Sequence, residues 1–130
     1  MEQTISKSRL WTGRIMSGLV ILFLTFDSVI KLMNIQPVVD GMKQLGYPVD
    51  LAIPLGVVLL TSTILYAIPK TSFIGAILLT GYLGGAVATH VRVQDPLFTH
   101  TLFPVYFGVL LWAGLYLRDR RLAFLTGATI

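Results

Sequence analysis

Long uncharged stretches dominate this chain, and the polar positions fall between them. Residues 51–69, 71–91 and 96–117 contain no Asp, Glu, Lys or Arg. Each is close to the ~20 residues that a helix needs to cross ~30 Å of hydrocarbon. A fourth stretch, 15–26, is too short to span by itself. It spans only if the helix starts near Arg14 and runs on through Asp27 and Lys31. The pattern predicts four membrane helices over roughly 10–33, 51–68, 72–91 and 97–117, within one domain covering 1–130. The fold class is therefore all-α, an integral membrane bundle of four transmembrane helices.

The connections are short and polar. Residues 34–50 contain Pro37, Gly41, Gly46 and Pro48, which interrupt any long helix. One or two amphipathic turns around Val38, Val39, Met42 and Leu45 are expected there, at the interface. Residues 69–71 form a tight turn. Pro104 is expected to kink or to start the last helix. The apolar run 18–26 resembles a secretory signal, but no small-residue cleavage pattern follows it, so it is expected to be retained.

Composition agrees with this partition. The chain is 55% hydrophobic and only 12% charged, where a soluble domain carries about a quarter charged residues. Mean hydropathy is +0.78. The net charge of +4 reads as a topology signal, with the lipid bilayer as partner and no role for nucleic acid. Placing both termini in the cytoplasm puts Lys7, Arg9, Arg14, Lys70, Arg118, Arg120 and Arg121 inside, and Lys31, Lys43 and Arg92 outside. The positive-inside rule favours that orientation in a cell membrane. Trp11, Tyr47 and Tyr66 lie near the expected interfaces as aromatic anchors. The chain has no cysteine, which excludes thiol–disulfide chemistry, thiolate metal sites and iron–sulfur clusters carried by this chain alone.

Candidate chemistry is confined to a few positions. With Arg14 at one interface, Asp27 lies roughly 20 Å along the helix, inside the hydrocarbon. Lys31 is one turn further and reaches towards water. A carboxylate and an ammonium at such depth mark a candidate site; the plainer reading is that they mark a helix end. On the third helix Gly81, Gly85 and Ala88 share a face, a small-residue stripe that implies close packing in the bundle or between protomers. Arg92 falls on that face and His90 opposite it. Arg92 is the preferred partner for Asp27, and Lys31 at i+4 is the alternative. His90 and His100 lack any spacing that marks a metal or haem site, so no metal is expected.

Several runs together resemble the DoxX-like membrane proteins across nearly the whole chain: FDSVIKL at 26–32, LGYP at 45–48, LYAIPK at 65–70, GYLGGAVATHVR at 81–92, then Pro104 and RDRR at 118–121. The resemblance implies a compact four-helix membrane bundle. It implies little about activity, since relatives are linked to quinone-dependent sulfur oxidation, to membrane redox complexes and to assembly of membrane proteins. Two functions are open, and a third, a small transporter or proton pathway, is disfavoured because only one intramembrane carboxylate is present where relays chain several groups. One is a non-catalytic accessory or assembly subunit, bound to another membrane protein or to further copies of itself. The other is a quinone- or lipid-binding subunit of a membrane redox system, with Asp27, Lys31, Arg92 and His90 as the binding residues. No resident cofactor is expected in the first reading, and quinone in the second.

Overall fold

A computed structural model describes residues 5–127. Among these residues there are only helices and connections, with no strand. Helix α1 spans Lys7–Met33, α2 Gln36–Leu45, α3 Ala52–Ala67, α4 Ser72–Arg92 and α5 Phe103–Arg118. Four stretches are long and apolar enough to cross a membrane: Lys7–Met33, Val49–Ala67, Ser72–Arg92 and Leu97–Arg118.

Local chemistry sets the ends. Ser6 caps α1, its Oγ accepting the Arg9 amide at 3.2 Å, which starts the helix a turn before residue 10. Asn34 closes it in the left-handed region, φ 53°, a conformation Asn tolerates. Ile68 is extended ahead of Pro69 and ends α3, as the residue before proline resists the helical region. Pro104 sits in the first turn of α5, where its missing N–H is harmless. It starts that helix, after a wide turn over Leu97–Thr101.

The polar connection 34–50 is more ordered than its prolines and glycines suggest. It holds α2, nearly three turns long. Pro37 falls in the first turn and Gly46 closes the helix at φ 79°, so both breakers act at ends. Met42 is buried and Val38 and Leu45 are half-buried, while Lys43 and Gln44 face out.

Helix α1 packs on α3 and α5, and α4 packs on the same two helices. This is an up–down ring of four. Val20, Leu24, Leu59, Tyr66, Leu79, Leu111 and Leu115 fill its centre. Large apolar side chains also cover the outside, among them Leu22 at 70% exposed and Val109 at 62%. Such a belt is unfavourable in water and favourable in lipid.

Helices pack backbone against backbone where α4 meets α3, a Cβ on Gly75 there running into the Tyr66 amide nitrogen, and where α1 meets α5. A Cβ on Gly13 would lie 2.7 Å from the Gly114 carbonyl oxygen. Beside this contact Arg118 donates to Ser17 Oγ at 2.9 Å. Ser17 and Tyr66 Oη lie 2.8 Å apart, and Tyr66 donates to the Leu111 carbonyl at 2.5 Å. Tyr66 is therefore fully buried, a pin through the core and not the interfacial anchor its position near a helix end suggested.

Candidate functional site

At the end of the bundle away from the termini, the helices separate. A cavity of ≈ 450 Å³ opens there between α1, α4 and α5, with Met42, Leu45 and Tyr47 closing one side. Most of the wall is apolar. Phe23 stacks on Phe107 with ring centroids 4.4 Å apart, and Phe103 meets both edge-on.

The polar end is built from α1. Lys31 donates to Asp27 Oδ1 at 2.8 Å, and the side chains are 18% and 29% exposed. The pair follows from helical spacing, since i and i+4 share a face. Gly56 on α3 lets the Lys31 stem lie close, because a Cβ there would be 3.1 Å from Lys31 Cβ. Asp27 Oδ2 accepts no hydrogen bond among the described residues.

Helix α4 supplies the facing wall, through Gly81, Tyr82, Leu83, Gly85, Ala86, Thr89 and His90. His90 Nδ1 lies 2.6 Å from Asp95 Oδ2, and its ring is 6.1 Å from that of His100. His100 itself faces outward, bonded to Thr99 Oγ1 at 2.8 Å. Thr89 Oγ1 donates to the Gly85 carbonyl and so accepts from Tyr47 Oη at 2.6 Å. The Tyr82 hydroxyl has no hydrogen-bond partner among the described residues, although Tyr82 is half-buried.

Two expectations are corrected. Gly81, Gly85 and Ala88 do not bring helices of this chain together. All three are exposed, and a Cβ on Gly81 or Gly85 would meet nothing within 4 Å. The missing side chains of Gly81 and Gly85 leave room for the cavity instead. The second correction concerns Arg92, which does not reach Asp27. Its guanidinium donates to the Leu45 carbonyl and lies against Gly46. The Leu45 carbonyl takes no backbone hydrogen bond among the described residues and lies at the negative end of α2, so it attracts a cation. Lys31 is left as the partner of Asp27.

His90 and the glycines sit on opposite edges of the arc that α4 turns to the cavity, and the cavity is wide enough to take both. Sequence reasoning passed over Tyr47, Tyr82 and the phenylalanines. Tyr82 carried a signal, a hydroxyl inside the glycine-rich run. The phenylalanines carried none, because apolar rings in a membrane helix are equally suited to lipid.

The sequence profile of the DoxX-like family matches residues 15–114. No curated protein and no solved structure matches the chain.

Proposed function

The chain belongs to the DoxX-like family, and from that premise we propose that this multi-pass membrane protein binds the polar head of an amphipath dissolved in the bilayer, of the quinone or lipid class. The cavity carries this reading. Its apolar aromatic wall suits a ring or chain, and the Asp27–Lys31 pair with His90 supplies a few polar groups at one end, the usual make-up of a small-molecule site.

The excess of Lys and Arg at the end bearing both termini supports a cytoplasmic placement of that end. The cavity then opens near the outer leaflet of the cell membrane. The other function, an accessory or assembly subunit that holds no ligand, draws on the apolar outer surface. Lipid contact accounts for that surface equally well, and an assembly role leaves the cavity without an occupant.

Extraction of lipids and quinones from purified protein, with mass spectrometry, tests the proposal. One amphipath should be retained in near-stoichiometric amount and lost from the cavity-filling variant Gly85→Leu. Equal retention by both proteins of nothing beyond bulk lipid would overturn it.

A further inference from the structure

We propose that the cavity selects amphipaths whose head carries an aromatic hydroxyl, such as a phenol or a reduced quinol, with His90 as the acceptor and Asp95 as the residue that keeps it one. This rests on the cavity being a ligand site, and it adds the chemistry of the head.

An ionised carboxylate only accepts hydrogen bonds. Asp95 Oδ2 lies 2.6 Å from His90 Nδ1, so Nδ1 holds the ring proton. In the neutral ring Nε2 is then the acceptor, and it has no partner among the described residues. Asp27 Oδ2 is a second acceptor without a partner on the cavity wall. Donors are present too: the Tyr82 hydroxyl and the remaining N–H groups of Lys31. A hydroxyl donates and accepts at once and satisfies both kinds of group. A quinone carbonyl only accepts, and leaves the acceptors stripped of water and unpaired, which is costly. The phenylalanine wall of Phe23, Phe103 and Phe107 offers edges and faces to an aromatic ring.

The test uses the intact protein in lipid nanodiscs. The probes are 4-decylphenol, its methyl ether 4-decylanisole, and decyl-1,4-benzoquinone. The phenol should bind about tenfold or more tighter than the other two. That ratio should fall several-fold in His90→Phe, which keeps a ring without an acceptor and leaves only Asp27 Oδ2 to accept. Nitrogen-15 NMR should find the His90 proton on Nδ1 in the native protein and redistributed in Asp95→Ala. The NMR result does not depend on the His90 variant folding. A ratio near one in the native protein, a ratio unchanged in His90→Phe, or a proton on Nε2 would each overturn the inference. If all three probes bind equally and Gly85→Leu abolishes binding, hydroxyl selection falls and the ligand site stands. If no probe binds, both fall.

Discussion

Gly13 and Gly114 face each other across α1 and α5 with no room for a side chain on either. A Cβ on Gly114 would lie 2.6 Å from Ser17 Oγ, and one on Gly13 would lie 2.8 Å from the Arg118 amide nitrogen. Backbone atoms and a buried hydrogen-bonded hydroxyl cannot yield as a flexible side-chain end can. Gly114→Leu should therefore force α5 away and break the Arg118–Ser17–Tyr66 chain. Overpacking costs typically about 1–3 kcal/mol and sometimes more. Thermal unfolding in detergent measures it; a melting temperature equal to the parent's would show that the contact gives way freely.

Gly85→Leu should behave in the opposite way. Its Cβ direction is open, so the side chain grows into the cavity and not into a neighbouring helix. The melting temperature should stay within a few degrees of the parent's, while ligand retention is lost. A collapse of stability comparable with Gly114→Leu would show that the stripe packs against something after all.

Helix α2 is held to α4 by two bonds at its C-terminal end, Arg92 to the Leu45 carbonyl and Tyr47 to Thr89. Its remaining contacts in the bundle are sparse. Removing Arg92 should free this end and widen access to the cavity. Arg92→Gln with Tyr47→Phe should raise hydrogen exchange over residues 36–46 by several-fold and leave α1 and α5 unchanged, since local opening draws on few contacts. Faster ligand exchange should accompany it. Unaltered exchange at 36–46 would show that Met42 and Leu45 alone hold α2 down.

Beyond the last span, Asp119 is subject to opposed effects. Desolvation pushes its carboxyl up; hydrogen bonds and charge from Arg121, with the charge of Arg118, outweigh that and hold it below the ordinary carboxylate range. Arg121 also donates to the Pro69 carbonyl at 2.8 Å, tying the chain after α5 to the α3–α4 turn. A depressed folded-state value stabilises above the unfolded value of ~3.9 and is lost as pH falls through the folded value. Because Arg121 is 57% exposed, the effect should be no more than about 1 kcal/mol. Between about pH 4 and pH 2, the parent should lose more stability than Arg121→Gln in matched melts. Parallel curves would show that the pair contributes nothing.

The four spans were legible because hydrocarbon demands uncharged runs of a set length, and the sequence has them. Backbone geometry narrowed Pro104 to a kink or a helix start, and it offered Lys31 at i+4 only as the second choice of partner for Asp27. The meaning of Gly81 and Gly85 was not legible. A glycine on a helix face permits either the close approach of another backbone or an empty volume, and sequence spacing is the same for both. The glycines that do bring helices together, among them Gly13, Gly75 and Gly114, lie outside that stripe. Arg92 was misassigned because helical angle gives a direction and no competitor. The carbonyls ending α2 were nearer, and α2 itself was hidden by breakers that turned out to lie at its ends.

The pairing of Asp27 with Lys31 and not with Arg92 can be decided by two double-mutant cycles. Asp27→Asn removes the charge that Lys31 Nζ faces at 2.8 Å and leaves an ammonium in a partly dry site. Lys31→Met leaves the carboxylate alone in the same way. Loss of one member of a fully buried pair costs ~3–5 kcal/mol; with both side chains partly exposed here, about 1–3 kcal/mol is expected for each single change. The double variant removes both charges and should recover much of that loss, a coupling of about 0.5–3 kcal/mol. The cycle of Asp27→Asn with Arg92→Gln should instead be additive within about 0.5 kcal/mol, because Arg92 is engaged at Leu45. The reverse result, coupling to Arg92 and additivity with Lys31, would return the site to a cation shared across two helices. Ligand retention in the Asp27→Asn, Lys31→Met protein then separates staple from site. A stable bundle that has lost its amphipath makes the pair the binding group of the cavity, while a stable bundle that keeps it leaves recognition to His90 and Tyr82.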